Sequence, residues 1–280
     1  MSVKAPVNRI IPFSAVDGPG NRTAIFVQGC TFNCRYCHNP ETIRACIHCG
    51  KCVPACPAGA LRMDEGKVVY DAAKCVLCDA CIHTCPNSSC PRILWMTASE
   101  AMAEVRRNEP FIRGITVSGG ECTLQRGFLL ELAPMARADG LDVLLDSNGG
   151  YDFSADPELL SAIDGVMLDV KAWDPGEHLR LTDASNETVI ANLRFLAGAG
   201  KLTEVRTVDV PGMMDAAETV RGVCEALVQA RAASTPYKLI RFRPMGVRQE
   251  YRTIRTPADD EMNELARLAH ELGVPNTVLI

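Results

Sequence analysis

The sequence lacks three features that would point to a nucleic-acid binder, a membrane protein or a secreted protein. Its 280 residues carry a formal net charge of -5, whereas a nucleic-acid binder needs a basic face to replace phosphate counterions. No apolar run approaches the roughly 18 residues that a membrane span requires, and residues 1–9 lack the apolar core of a signal peptide. We therefore expect a cytoplasmic protein with neither nucleic acid nor membrane as its partner.

Cysteine and apolar residues, by contrast, are plentiful. The chain is 47% apolar and contains 14 cysteines. A chain of this length and composition can bury a full core, which suits an α/β domain with one insertion. In a reducing compartment, so many closely spaced cysteines indicate metal binding rather than disulfides.

Three of the cysteines form a loop with an open coordination site. Cys30, Cys34 and Cys37 have the spacing C-x-x-x-C-x-x-C directly after the apolar residues 23–27. Three thiolates can hold three irons of a cubane [4Fe-4S] cluster, and the fourth iron then binds a small molecule and can reduce it. The loop therefore predicts an iron-sulfur centre with one open iron.

Eight further cysteines form a duplicated motif within residues 44–92, which break the surrounding pattern and are predicted to be an insertion. Each half is a bacterial ferredoxin run, C-x-x-C-x-x-C-x-x-x-C-P, and the halves are offset by 29 residues. Since the fourth cysteine of such a run ligates the other cluster, we predict two ligand sets: Cys46, Cys49, Cys52 and Cys85, and Cys75, Cys78, Cys81 and Cys56. A pair of zinc sites is the alternative. So short a segment has little apolar core, so we expect the metal groups to act as its core.

Strands and helices alternate along the rest of the chain. Strands are predicted at residues 22–28, 114–118, 141–146, 166–170, 204–210 and 238–243, and helices at 98–107, 128–138, 154–163, 187–197, 216–232 and 259–272. This order predicts an α/β fold, a partial (β/α)6 TIM-like barrel formed by residues 1–43 and 93–280, with an opening for a large substrate.

Polar motifs follow the carboxyl ends of the predicted strands, where active sites of parallel barrels lie. They are Ser118-Gly119-Gly120-Glu121, Leu145-Asp146-Ser147-Asn148-Gly149 and Leu168-Asp169-Val170-Lys171. With Val16-Asp17-Gly18-Pro19-Gly20-Asn21-Arg22-Thr23, and with His38-Asn39-Pro40 after the cysteine loop, they make nearly the whole chain similar to radical S-adenosylmethionine (SAM) enzymes. Within these it resembles the activating enzymes of glycyl radical enzymes, and most closely the YjjW-type activases with a two-cluster ferredoxin insert.

The resemblance implies an activase that cleaves SAM reductively at the first cluster. The resulting 5'-deoxyadenosyl radical abstracts hydrogen from a glycine of a partner glycyl radical enzyme. The implied cofactors are three [4Fe-4S] clusters, SAM and a monovalent cation, and the implied electron donor is of the flavodoxin or ferredoxin type.

The resemblance also implies roles for individual residues. Tyr36 matches an aromatic position near the adenine, with packing under the cluster as the alternative, and His38 is placed in the pocket. Gly119, Gly120 and Glu121 match the turn that receives the SAM amino group. Asp146, Ser147 and Asp169 match a polar cluster near the SAM carboxylate that can hold the cation. Val170 and Lys171 match further residues that line the SAM pocket. Asp17 and Arg206 match positions near the incoming glycine loop. A salt bridge at the surface is the alternative for Lys171.

The chain departs from related activases at two places. Arg243-Pro244-Met245-Gly246-Val247-Arg248 stands where pyruvate formate-lyase activases have Pro-Tyr-His, so an arginine is a candidate to replace the histidine; a solvated charged face is the alternative for the arginines of this region. Cys122 replaces the proline that usually follows Gly-Gly-Glu. With Cys90 and Cys224 it is expected to be structural.

Two other functions compete with the activase. A radical SAM enzyme for a small-molecule substrate would use the same first cluster. An electron-transfer or redox-sensing protein would gain nothing from an open iron, so the three-cysteine loop disfavours it.

Overall fold

The computed structural model describes residues 2–280 and is built on one sheet of nine strands. The strands of the chain are β1 (Lys4–Ser14), β2 (Arg22–Val27), β3 (Leu61–Asp64), β4 (Lys67–Tyr70), β5 (Leu94–Thr97), β6 (Gly114–Gly119), β7 (Asp142–Ser147), β8 (Gly165–Asp169), β9 (Leu202–Asp209), β10 (Tyr237–Arg241) and β11 (Thr277–Leu279). The helices are α1 (Ala80–His83), α2 (Ala98–Arg106), α3 (Arg126–Ala138), α4 (Pro157–Ala162), α5 (Pro175–Thr182), α6 (Glu187–Gly198), α7 (Ala216–Gln229) and α8 (Asp259–Glu271).

The sheet confirms the predicted α/β architecture. Its order is β11-β10-β9-β8-β7-β6-β2-β1-β5, and the run from β2 to β10 pairs in parallel. The two edge strands of this order, β5 and β11, are not paired with each other, so the barrel is partial. All six residues of β2 are buried, as expected for a strand that is covered on both faces.

The structure adds elements that the sequence did not predict. β1 pairs antiparallel with β2 and then with β5, which extends the sheet on one side. Its pairing with β2 contains two register shifts, and such irregularities interrupt the alternation from which strands are recognised. β11 adds a short parallel strand beside β10 at the other edge.

The stretch predicted to be an insertion is folded around its cysteines. β3 and β4 form a separate two-stranded antiparallel hairpin, whose turn has positive φ at Glu65 and Gly66, as tight hairpin turns require. The only apolar cluster described in this segment consists of two cysteines, Cys52 and Cys81, with Leu61 and Val68. So small a cluster cannot stabilise the segment by apolar burial alone.

No helix of residues 2–280 is long and apolar enough to cross a membrane.

A buried arginine joins the turn before β2 to the sheet. The Arg22 side chain is fully buried; Nε donates to Thr116 Oγ1 at 2.8 Å, Nη2 donates to the Ile115 carbonyl at 2.8 Å, and the guanidinium forms an ion pair with Asp142. Gly18 has φ +116°, and a Cβ there would lie 3.0 Å from Arg22 Cδ. The absence of a side chain at Gly18 therefore leaves room for the side chain of Arg22.

Replacing Arg22 with Ala should lower the free energy of unfolding by about 3 kcal/mol, because removal of one partner leaves a half-buried carboxylate and buried acceptors unpaired. Urea unfolding followed by circular dichroism measures the change. Arg113→Ala is the matched control, since Arg113 reaches the same Asp142 at 3.4 Å from a side chain that is 69% exposed; its cost should stay below about 1 kcal/mol. Equal losses in the two variants would contradict this role for Arg22.

Candidate functional site

The loop of Cys30, Cys34 and Cys37 leaves the carboxyl end of β2 and is held from both sides. Cys30 N donates to the Ile43 carbonyl at 3.0 Å, while Asn33 N donates to the Thr182 carbonyl of α5 at 2.8 Å. The backbone of the loop is thus fixed before any ligand binds.

The three thiols of this loop lie close enough to influence one another. Burial raises the pKa of Cys30 and Cys34 to about 12 and that of Cys37 to about 11, and each thiol feels the charge of another of the three. The positive charge of Lys171 acts against this increase at all three. A metal group held by this loop would have to replace these protons, because only the thiolate is a ligand.

The Gly-Gly-Glu turn packs directly on the start of the cysteine loop. Gly120 N donates to the Val27 carbonyl at 2.9 Å, and Glu121 N donates to the Gly29 carbonyl at 2.7 Å. A Cβ on Gly120 would lie 2.0 Å from the Gly29 oxygen, and one on Gly119 would lie 2.3 Å from backbone atoms of Val27. Neither position accommodates a side chain, so both glycines are required for this close approach.

The Glu121 carboxylate points into the protein and joins three segments. It is 1% exposed; Oε1 accepts from the Ser147 hydroxyl at 3.0 Å, and Oε2 accepts from Asn148 N at 2.8 Å. Asn148 Nδ2 in turn lies 3.5 Å from Cys30 Sγ. Glu121 and Ser147 therefore hold the ends of β6 and β7 against the loop, and the predicted contact of the turn with the SAM amino group remains a prediction.

A buried charged network lies beneath these motifs. Asp146 Oδ2 accepts from the Ser118 hydroxyl at 2.9 Å and from Arg206 Nη1 at 3.0 Å, and Arg206 Nε donates to Glu204 at 2.5 Å. Burial raises the pKa of Asp146 to about 6 although Arg206 acts to lower it. Arg206 is thus held between two carboxylates at a fixed place.

Asp17 lies close enough to this network for its charge to act on Asp146. Its carboxylate accepts from the Ser14 hydroxyl at 2.5 Å, its carbonyl accepts from Thr116 Oγ1 at 2.5 Å, and its charge contributes to the raised pKa of Asp146. The structure therefore brings Asp17, Asp146 and Arg206 together, and their contact with a glycine loop remains a prediction.

Lys171 forms an ion pair close to the cysteine loop. Its Nζ lies 2.8 Å from Asp169 Oδ2 and 5.8 Å from the centre of the Tyr36 ring. Burial opposes its charge, yet Asp169, Tyr36 and Cys34 raise the pKa of Lys171 well above its ordinary value. The side chain is only 12% exposed, so the pair lies inside the protein and the alternative of a salt bridge at the surface does not describe it.

Tyr36 and His38 flank the last cysteine in different surroundings. Tyr36 is buried in an apolar cluster with Phe242 and Val247, and its hydroxyl has no hydrogen-bond partner within the described chain. His38 Nε2 lies 2.9 Å from the Arg243 carbonyl, and burial lowers the pKa of His38. An unpaired buried hydroxyl is costly, so Tyr36 fits a position that a polar ligand approaches.

Val170, the remaining predicted pocket residue, is fully buried. Its N–H donates to the Arg206 carbonyl at 2.9 Å, and its carbonyl accepts from Thr207 Oγ1 at 2.9 Å. It thereby fixes the segment between Asp169 and Lys171.

Arg248 is a functional candidate that the sequence offered only as one of several arginines. Nη1 donates to Asn33 Oδ1 at 3.1 Å, and Nη2 donates to the carbonyls of Asn33 and Cys34 at 3.2 and 3.0 Å. Its Nε is buried and has no partner among residues 2–280. Arg241 and Arg255, by contrast, pair with acidic side chains of α8. Only the contacts in the folded chain distinguish Arg248 from these neighbours.

The eight cysteines of the duplicated motif, within residues 44–92, line two separate cavities. One cavity, of about 20 Å³, is lined by Cys56, Cys75, Cys78 and Cys81. The other, of about 10 Å³, is lined by Cys46, Cys49, Cys52 and Cys85. These sets have the crossed composition that the ferredoxin pattern predicts.

The cysteines of each set are spread around their cavity rather than gathered around one point. Tetrahedral zinc brings four ligands to about 2.3 Å from one point, whereas a cubane cluster binds each cysteine through a different iron. In the described part of the chain, no three His, Cys, Asp or Glu side chains form a single-ion site. The described side chains thus form no preformed four-ligand zinc site, and the clusters remain a prediction.

Replacing Arg248 with Ala should accelerate the loss of iron from the first loop to a chelator, on the order of tenfold, because hydrogen bonds from a charged group contribute about 1.5–3 kcal/mol. Anaerobic chelation followed by electron paramagnetic resonance (EPR) measures this rate. Arg252→Ala is the control, since Arg252 is exposed and donates one bond, to the Val247 carbonyl at 3.2 Å. If both variants release iron at the wild-type rate, Arg248 does not hold the loop.

Comparison with known proteins places this site in a family. The model of the radical SAM superfamily matches residues 24–221. The indoleacetate decarboxylase activating enzyme of Tractidigestivibacter scatoligenes is 30% identical to the chain, with 97% of this chain and 96% of that protein covered. The pyruvate formate-lyase-activating enzyme of Streptococcus mutans is 29% identical, with 94% and 90% covered.

A solved structure agrees at the level of the fold. Streptococcus suis SuiB bound to S-adenosylmethionine has a TM-score of 0.57 and 11% sequence identity over 90% of this chain and 48% of that chain. From the family match and the relatives together, the chain belongs to the radical SAM superfamily, and within it to the activating enzymes of glycyl radical enzymes.

Proposed function

We propose that the chain binds SAM at the loop of Cys30, Cys34 and Cys37 and uses it to activate a partner glycyl radical enzyme. The observation that carries the proposal is the packing of this three-thiol loop on the Gly119-Gly120 turn, beside the buried network of Asp146 and Arg206. The three thiolates would hold a [4Fe-4S] cluster, whose chemistry would be the one-electron reductive cleavage of SAM to methionine and a 5'-deoxyadenosyl radical that takes a hydrogen atom from a glycine.

The protein's own residues orient the reactants in this proposal. The carbonyl groups of the Gly-Gly turn accept from the SAM amino group, since glycines permit close backbone approach. Lys171 offers a buried positive charge to the SAM carboxylate or ribose, and Tyr36 offers its ring or its unpaired hydroxyl near the adenine. Asp146, Ser147 and Asp169 are the proposed ligands of a monovalent cation; Ser147 and Asp146 would then exchange part of their present hydrogen bonding for the ion.

The target glycine is proposed to approach Asp17 and Arg206. Both side chains are already fixed by neighbours, Asp17 by Ser14 and Arg206 by Asp146 and Glu204. Because these side chains are already ordered, they can position an incoming loop without losing further conformational entropy when it binds. An incomplete barrel leaves an opening through which a loop of another protein can enter.

The insertion is proposed to carry two more [4Fe-4S] clusters, on Cys46, Cys49, Cys52 and Cys85 and on Cys75, Cys78, Cys81 and Cys56. The support is the pair of cavities with these linings. Clusters there would pass electrons from a flavodoxin- or ferredoxin-type donor toward the first loop. The division into residues 1–43 with 93–280 and residues 44–92, and the cytoplasmic location, remain predictions.

A small-molecule substrate is the alternative within the same superfamily. The relatives at about 30% identity are named as activating enzymes, for example of indoleacetate decarboxylase, which favours a protein substrate. An electron carrier without SAM chemistry is disfavoured, because the family match includes the three-cysteine loop and the Gly-Gly-Glu turn.

The anaerobically reconstituted protein should contain about twelve irons per chain, three clusters of four. Cys37→Ala should abolish formation of 5'-deoxyadenosine, because the loop loses one of its three ligands. Cys78→Ala should retain SAM binding but impair turnover with a protein electron donor. Iron analysis and quantified 5'-deoxyadenosine measure both effects.

Cys224→Ala is the matched control for these variants, since Cys224 is a buried cysteine of α7 outside every proposed cluster. It should keep the full iron content and SAM cleavage. An iron content near eight with an active Cys37→Ala variant would refute the proposal, and full activity of Cys78→Ala with a protein donor would refute the relay.

A further inference from the structure

The two halves of the insertion repeat in their backbone as well as in their cysteines. Positive φ occurs at pairs of residues that are 29 positions apart: His48 and Leu77, Gly50 and Asp79, and Gly59 and Ser88. The same offset relates two backbone hydrogen bonds to sulfur, from His48 N to Cys46 Sγ and from Leu77 N to Cys75 Sγ, both at 3.4 Å. The halves therefore give their clusters a common set of backbone donors.

One pair of equivalent positions breaks this symmetry. In the first half, Met63 packs over Gly50, where an added Cβ would lie 3.1 Å from the Met63 sulfur. The equivalent residues of the second half are Arg92 and Asp79, which form an ion pair at 2.6 Å. The apolar contact between Met63 and Gly50 in the first half is thus replaced by an ion pair between Arg92 and Asp79 in the second half.

The charge of Arg92 is directed at one of the two cavities. Arg92 and Asp79 both line the cavity of Cys56, Cys75, Cys78 and Cys81, but the side chain of Arg92 is 15% exposed, whereas that of Asp79 is 51% exposed. Burial opposes its charge, but Cys90, Asp79 and Cys81 raise the pKa of Arg92 above its ordinary value. Because the carboxylate is the better solvated partner, the guanidinium acts more strongly on the cavity.

The other cavity has no comparable buried cation among its lining residues. Its one basic lining residue, Lys51, is exposed, so water screens its charge. The Ser89 hydroxyl lies 3.5 Å from Cys85 Sγ. His48 Nδ1 lies 3.9 Å from Cys46 Sγ, but it accepts from Val68 N at 3.1 Å and so does not donate to the sulfur. The side-chain donor that reaches a thiol there is a neutral hydroxyl.

We propose that Arg92 raises the reduction potential of the cluster on Cys56, Cys75, Cys78 and Cys81 above that of its partner, so that an electron on the insertion resides there. The physical reason is that a nearby positive charge stabilises the more negative, reduced state of a cluster. The proposal rests on the two insertion clusters of the proposed function.

The test is an EPR-monitored redox titration of the fully reconstituted protein and its Arg92→Met variant, which places the first-half residue in the second half. We expect one midpoint potential to fall by the equivalent of roughly tenfold in the reduction equilibrium, ~59 mV for one electron, while the others stay unchanged. The shifted signal should be the one that Cys78→Ala removes. Arg62→Met, on β3 and 60% exposed, removes an equal charge as the control and should shift nothing.

A second variant separates the effect of the Arg92 charge from structural damage caused by a substitution. Asp79→Asn keeps a residue that tolerates the positive φ of this position but leaves Arg92 without its counter-charge, so the same midpoint should rise. Unchanged midpoints in both variants, or shifts of the same sign, would overturn the proposal. If Arg92→Met binds too little iron to titrate, the sign of the Asp79→Asn shift decides alone. A wild-type content well below about twelve irons would instead refute the insertion clusters.

Discussion

The contact between two glycines and the end of β2 is the constraint on which the site depends. β2 and β6 pair in parallel up to Val27 and Gly119, and there the backbones come so close that neither Gly119 nor Gly120 can carry a Cβ. Because the cysteine loop begins at this contact, its position relative to β6 is set by backbone packing alone. Glu121 then extends the same constraint to β7 through Ser147 and Asn148. The backbone at the start of the loop is therefore rigid. A reaction through a short-lived radical requires such rigidity, because the reactants must already be in position.

The charged groups under the loop depend on this rigid backbone. Asp146, Arg206 and Glu204 are buried together, and Lys238 completes the network by reaching Glu204 at 2.7 Å. Burying such charges is costly, and the cost is offset only where each group has a partner in good geometry. The parallel strands supply that geometry, because β7 and β9 present these residues toward one interior. A polar and preorganised interior of this kind can hold SAM and a glycine loop while excluding water.

The sequence predicted the architecture well where burial is uniform. The six main strands were predicted within two residues at either end, because strands covered on both faces are continuous apolar runs. The crossed cysteine sets were predicted from the ferredoxin spacing, and the cysteines line two cavities in the same division. β1 was not predicted, because its register shifts interrupt the alternation of apolar and polar residues. The inward orientation of the Glu121 carboxylate was not predicted either, because its hydrogen-bond partners lie 26 and 27 residues away in the sequence. Arg248 and Arg92 could not be separated from other arginines, since only tertiary contacts distinguish them.

The central claim is that this chain transfers a hydrogen atom from a protein glycine. The most direct measurement is EPR on an anaerobic mixture of the protein, SAM, a low-potential reductant and a candidate glycyl radical enzyme. The account predicts a glycyl radical signal that requires all four components and disappears when the target glycine is replaced by Ala. Cleavage of SAM without a glycyl radical on any glycyl radical enzyme, together with 5'-deoxyadenosine formed only when a small molecule is supplied, would contradict it.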